Sequence, residues 1–174
     1  STAAINSTTE LSIDASAAST GLEITGNNGK NTLVGSIYID FLNGNGGVDS
    51  MDGGNNRDIY IVTSSVHHTA GEIQDTGTSG IDEVRFAATT TQTLRLFSTD
   101  TGIERVSIGT GTGDQAVSSG ITALHVNAAE VKNGLSIFGN DGMNIIVTTG
   151  FSDYLDGKGG GDVYIAVSYT HLTL

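Results

Sequence analysis

One interval governs this chain. From Gly26 it divides without gaps into GNNGKNTLV, GSIYIDFLN, GNGGVDSMD and GGNNRDIYI, four nonapeptides ending at Ile61. Each opens on Gly. Place six holds Asn31, Asp40, Asp49 and Asp58, and place eight holds Leu33, Leu42, Met51 and Tyr60, always large and apolar. The pattern returns at 139–165 as GNDGMNIIV, TTGFSDYLD and GKGGGDVYI, with Asn144, Asp153 and Asp162 at place six and Ile146, Leu155 and Tyr164 at place eight. Such a unit spends six residues on turn and three on strand and buries one side chain. That is too little to stand alone, so the period predicts stacked coils. Two units return the chain on itself, and residues 18 positions apart then lie one strand spacing apart, about 4.8 Å.

A longer repeat encloses the short one. Residues 8–31 align without gaps to 121–144, and Thr9, Leu11, Ala15, Gly21, Leu22, Ile24, Gly26, Asn27, Gly29 and Asn31 all recur 113 positions later. Further on, GGNNRDIYI (53–61) matches GKGGGDVYI (157–165) at an offset of 104, so the second copy lacks nine residues, one whole unit. A stack of modules tolerates such a loss.

With 25 Gly, no Pro and only 37% hydrophobic residues among 174, a thick core is not expected. Yet the mean hydropathy is −0.01, because Val, Ile, Leu and Ala are spread thinly, which argues against plain disorder. Nineteen acidic residues face seven basic ones, a net charge of −12. Such a surface repels nucleic acid and anionic lipid, which bind through clustered Lys and Arg, and selects cations. There is no Cys to form disulfides, and no apolar run approaches the roughly 18 residues of a membrane span. The chain opens at Ser1 with neither Met nor signal peptide, as a piece of a longer protein would.

The units resemble the Gly- and Asp-rich nonapeptides of RTX proteins, the hemolysin-type calcium-binding repeats, whose pattern is G-G-x-G-x-D-x-U-x with U large and apolar. Seven units, 63 of the 174 residues, carry the resemblance. It implies an all-β fold, a right-handed parallel β-roll or β-solenoid, with Ca²⁺ as ligand. Ca²⁺ takes about six to eight oxygens, from carboxylates and carbonyls. The expected metal ligands are therefore Asn31, Asp40, Asp49, Asp58, Asn144, Asp153 and Asp162. Turn carbonyls near Gly26, Gly29, Gly44, Gly46, Gly47, Gly53, Gly54, Gly139, Gly142, Gly157, Gly159 and Gly160 would complete the shell.

Stacking assigns Asn31 with Asp49, Asp40 with Asp58, and Asn144 with Asp162 to shared ions. Asp153 has Leu135, without a side-chain oxygen, 18 places before it, so its site is expected to be weak or empty. The units also depart from the pattern. Tyr38, Asn56 and Phe151 replace Gly at place four, Ser36 and Thr149 stand at place two, Thr148 opens its unit, and Asn31 and Asn144 bring a neutral oxygen. Fewer and weaker ions than seven full motifs would bind are expected. The competing reading is a metal-free solenoid whose Asp and Asn satisfy backbone donors of the turns. Asp52 and Asp156, at place nine, are expected in solvent.

Elsewhere LSIDA (11–15), DEVRF (82–86), TLRLF (93–97), IERVSI (103–108) and LHVNA (124–128) have period-two character and read as metal-free coils. The chain thus divides into a first block 1–62, a β-rich spacer 63–120 with a flexible loop over 63–81, a second block 121–167, and a tail, SYTHLTL (168–174), that breaks the pattern and reads as non-native. No G-x-S-x-G, H-E-x-x-H or P-loop is present. His67 and His68 read as a surface loop and GTGTGDQ (109–115) as a plain turn. No apolar surroundings that would raise a carboxyl pKa for acid–base work are legible, so no enzyme activity is expected of this segment.

Together these readings predict a calcium-binding repeat module whose binding energy becomes folding energy. The resemblance further implies export through a type I secretion channel as an unfolded chain, with folding outside the cell. The parent would be a secreted or surface protein of the S-layer or adhesin kind, with other repeats of the same protein or cell-surface glycans as further partners. The alternative parent is a secreted hydrolase or pore-forming toxin, of which this would be a C-terminal calcium-binding segment.

Overall fold

A computed structural model describes residues 6–167, so the tail at 168–174 lies outside the described residues. Strands β1 (Leu11–Asp14), β3 (Asn31–Val34) and β5 (Ser50–Asp52) form a three-stranded sheet. A seven-stranded wall comprises β2 (Glu23–Thr25), β4 (Phe41–Asn43), β6 (Ile59–Val62), β7 (Glu83–Phe86), β9 (Arg105–Ile108), β11 (Ser136–Phe138) and β13 (Tyr154–Asp156). A four-stranded sheet holds β8 (Gln92–Arg95), β10 (Leu124–Asn127), β12 (Ile145–Val147) and β14 (Val163–Ile165). Consecutive strands alternate between the long wall and the shorter sheets except at β6 and β7, which both belong to the wall, and neighbouring strands pair in parallel. The chain is a parallel β-solenoid of about 8 turns, as the nine-residue period requires. No helix among the described residues is long and apolar enough to cross a membrane.

Within the repeats the register is 18: Glu23 pairs Phe41, Thr32 pairs Ser50, Ser136 pairs Tyr154 and Ile145 pairs Val163. Between the blocks the coils lengthen, to 24 from Ile59 to Glu83 and 31 from Arg105 to Ser136. Place eight supplies the core. Leu33, Leu42, Met51, Tyr60 and Ile146 are buried in one continuous cluster with Val84, Val106 and Ile137. Each such side chain contributes about 1.5–3 kcal/mol on burial, but a coil has few of them, so its turns must be held by polar contacts as well.

Two readings of the spacer change. The segment 63–81, expected to be a flexible loop, carries a fully buried Ile73 that bridges in parallel to Met51. It is a coil of the solenoid whose single apolar anchor is masked by surrounding Thr, Ser and Gly. Here the backbones approach so closely that a Cβ on Gly77 would overlap the carbonyl oxygen of Gly54. GTGTGDQ is more than a plain turn: Thr110 and Val117 pair antiparallel. Arg85 and Arg57 clamp this excursion to the wall through the carbonyls of Gly111 at 2.7 Å and Asp114 at 2.6 Å.

The missing nonapeptide has a geometric result. Residues 53–61 lead into β6 of the long wall, whereas their counterpart 157–165 leads into β14 of the four-stranded sheet. Tyr60 is fully buried, and its equivalent Tyr164 is 48% exposed.

Candidate metal centre

Place six lies at the lip of each turn, where its side chain can reach the coil before. Asn31 donates its backbone N–H to Asp49 at 2.8 Å, Asp40 to Asp58 at 2.7 Å and Asn144 to Asp162 at 2.9 Å. The three pairs expected to share ions are thus adjacent. Leu135 donates in the same way to Asp153 at 2.9 Å. Beyond the repeats the ladder continues, from Asp58 to Asp82 at 2.7 Å and from Asp82 to Glu104 at 2.9 Å.

The remaining oxygens sort six of the seven turns, all but that of Asp162, into three kinds. At Asp40 and Asp153 the departures at place two saturate the carboxylate. Ser36 donates its N–H and hydroxyl to Asp40 at 2.5 and 2.9 Å, and Thr149 does so to Asp153 at 3.0 and 2.8 Å. At Asn31 the oxygen cage exists but the amide nitrogen fills it. Nδ2 donates to the carbonyls of Asn27 (2.9 Å), Gly29 (2.6 Å) and Gly44 (3.2 Å) and to Asp49 (2.9 Å). Asn144 likewise turns Nδ2 to the carbonyl of Leu124 at 2.7 Å. At Asp49 and Asp58 one carboxylate oxygen, Oδ2, is buried with no hydrogen-bond partner among the described residues.

Asp58 is the focus. Its carboxylate, with those of Asp75 and Asp82, offers one ligand atom per residue, all within 4.8 Å of one another, and all three residues are buried. Tyr60, fully buried, donates its hydroxyl to Asp75 at 2.6 Å and accepts the N–H of Gly53 at 2.7 Å. Asp75 also accepts the N–H of Gly77 at 2.6 Å. Burial, then the like charges of Asp82, Asp75 and Asp40, pushes Asp58 up to about 8. Burial and the charges of Asp75 and Glu104 push Asp82 up to about 7, and burial raises Asp75. The expectation that no carboxyl here is raised is therefore corrected: the thin core still excludes water at the lip of the coil. Near neutral pH these carboxylates need either protons or a cation, and as hard oxygen donors they form a set that could hold a metal ion.

Asp75 and Asp82 are absent from the sequence reading. For Asp82 a signal exists: Asp82-x-Val84 repeats the six-to-eight spacing of Asp58-x-Tyr60, with both Val84 and Tyr60 buried. Asp75 has no such mark. His68 is also a correction, for it is buried, with its ring nitrogens 3.1 Å from Glu72 and 3.0 Å from Asp100. Burial opposes its charge, but the two carboxylates outweigh that and push it up to about 9. Asp52 is only partly in solvent, accepting the Thr76 hydroxyl at 2.8 Å, and Asp156 pairs with Lys158 at 2.8 Å.

Comparison with protein-family models, with curated proteins and with solved structures finds no match for this chain.

Proposed function

We propose that this chain is a calcium-binding repeat module of a secreted or cell-surface protein of the RTX kind, in which Ca²⁺ drives folding after export. The observation that carries the reading is the buried trio Asp58, Asp75 and Asp82 with the unpartnered Oδ2 of Asp58. Without a cation the acidic chain repels itself, and charging these groups on folding is unfavourable. With Ca²⁺ bound, the ion joins the first repeat block to the two following coils. Stabilisation then follows RT ln(1 + [L]/Kd), about 2.7 kcal/mol at a hundredfold excess over Kd. Asp49 offers a second place of the same kind, while the saturated turns at Asp40 and Asp153 and the amide-filled turns at Asn31 and Asn144 contribute architecture without an ion.

The test is circular dichroism and calorimetry of the full chain during a Ca²⁺ titration, with Mg²⁺ and EDTA as references. A coil-to-β transition or a marked rise in melting temperature with Ca²⁺ alone is expected. Identical spectra and melting curves in EDTA and Ca²⁺ overturn the reading.

A further inference from the structure

Four of the chain's seven cationic residues, Arg57, Arg85, Arg105 and Lys158, gather outside the long wall, in a protein of net charge −12. Their centre is the buried carboxylate of Glu83. Burial pushes its pKa up, but Arg85 at 2.9 Å and Arg57 at 3.0 Å outweigh that and hold it below the ordinary value. Glu83 is thereby already paired twice. Arg105 approaches it only to 3.8 Å, beyond hydrogen bonding, with its side chain just 23% exposed. Its Nε is buried with no acceptor among the described residues. A guanidinium is always charged and carries five N–H donors in a rigid fork, so the partly exposed end of Arg105, held to Glu83 only at ion-pair distance, can still take an acceptor.

The surroundings say what that acceptor is. Arg105 and Lys158 both lie over the Phe138 ring, at 5.7 and 5.3 Å, beside a cavity of about 200 Å³. Glu83 also lines it, its charge taken up by Arg57 and Arg85, and Ser107, Gln115 and Ser118 add hydroxyl and amide groups. Gln115 comes from the clamped excursion after β9. Lys158 is matched by Asp156 at 2.8 Å, whereas Arg105 shares the single carboxylate of Glu83 with Arg57 and Arg85. The fork of a guanidinium matches a carboxylate in two parallel hydrogen bonds. The neutral polar groups suit hydroxyls, and the space lies below the roughly 300 Å³ at which drug-sized sites begin, so it takes a single ring. We infer that this cavity binds an acidic sugar residue, a uronate, with Arg105 receiving its carboxylate. The inference stands apart from the calcium reading, since none of the cavity residues belongs to the Asp58 centre.

The test uses the full chain, ¹⁵N-labelled, titrated with sodium glucuronate, with glucose, with sodium acetate, and with a glucuronate-containing oligosaccharide to separate free from polymer-borne sugar. Expected are shifts centred on Arg105, Gln115 and Ser118 for both uronate probes, and binding weaker by about tenfold or more for glucose and acetate. Arg105→Gln should lose that preference while keeping the β spectrum. Because Arg105 packs against a buried carboxylate and its loss threatens the fold, Gln115→Ala provides a second variant and should weaken glucuronate several-fold. Glucose binding as tightly as glucuronate, acetate matching it, shifts elsewhere, or full affinity in a folded variant overturns the assignment.

Discussion

Tyr60 donates its buried hydroxyl to Asp75 at 2.6 Å, tying place eight of the first block's last unit to a coil that contains no nonapeptide. The same oxygen accepts the Gly53 N–H at 2.7 Å, so one side chain fixes both the turn and the outer ligand. Tyr60→Phe should cost about 1–3 kcal/mol, the penalty for buried partners left unpaired, and should weaken Ca²⁺ binding. Tyr164→Phe, at a half-exposed tyrosine that accepts only the Gly157 N–H at 2.9 Å, should cost under about 1 kcal/mol. Urea unfolding in EDTA and a Ca²⁺ titration measure both effects, and equal losses would refute the role given to Tyr60.

Asn31→Asp should open a filled cage. The substitution removes the amide that occupies the oxygens of Asn27, Gly29, Gly44 and Asp49 and adds a second carboxylate. In EDTA the variant should be less stable, by roughly 1–3 kcal/mol, and calorimetry in Ca²⁺ should find one additional ion. Unchanged stoichiometry would show that these carbonyls do not form a metal cage.

Stability should fall as pH rises when metal is absent. Asp58 and Asp82 have folded pKa values of about 8 and about 7 against an ordinary 3.8. Their protonated forms favour the fold, so this stabilisation is complete below pH 3.8 and is lost as pH passes through 7 to 8. His68, raised from 6.5 to about 9, has the same sign: its contribution is full below pH 6.5 and disappears by about pH 9. Ca²⁺ favours the ionised carboxylates and should reverse the trend between pH 5 and 8 in a calcium-saturated sample. Melting temperatures across that range, with EDTA and with Ca²⁺, make the comparison; His68→Gln isolates the histidine. Parallel curves in the two buffers would contradict metal binding at this cluster.

Asp49→Ala should erase more of the calcium-induced stabilisation than Asp52→Ala. Asp49 accepts both the N–H and the amide of Asn31 and has a free buried oxygen, whereas Asp52 meets Thr76 at a more exposed site. Equal effects in thermal melts with Ca²⁺ would undo the distinction.

Gly77→Ala should destabilise by about 1–3 kcal/mol, since its Cβ would overlap the carbonyl oxygen of Gly54. Gly161→Ala meets nothing within 4 Å and serves as the near-neutral reference in the same denaturation series.

Much of this was readable from the spacing of nine. It gave the solenoid, the register of 18 and the adjacency of Asp40 with Asp58, because each depends only on a fixed number of residues per coil. The saturation of Asp40 by Ser36 was half visible: the departure at place two was plain, its effect on the carboxylate was not. Asp75 was hidden because the coil from Ile59 to Glu83 spans 24 residues, so no constant offset points to it. His68 and Asp100 meet across 32 positions in a stretch without repeats, where only the folded chain shows the pairing.

The displacement of residues 157–165 from the long wall to the opposite sheet amounts to a parity rule. Removing an odd number of units transposes whatever follows to the other flank; removing an even number restores it. Inside and outside are conserved in both cases, because the inward places travel with the unit. A lineage of such chains can therefore re-edit which flank displays a given side chain by counting in nines, without ever redesigning its interior.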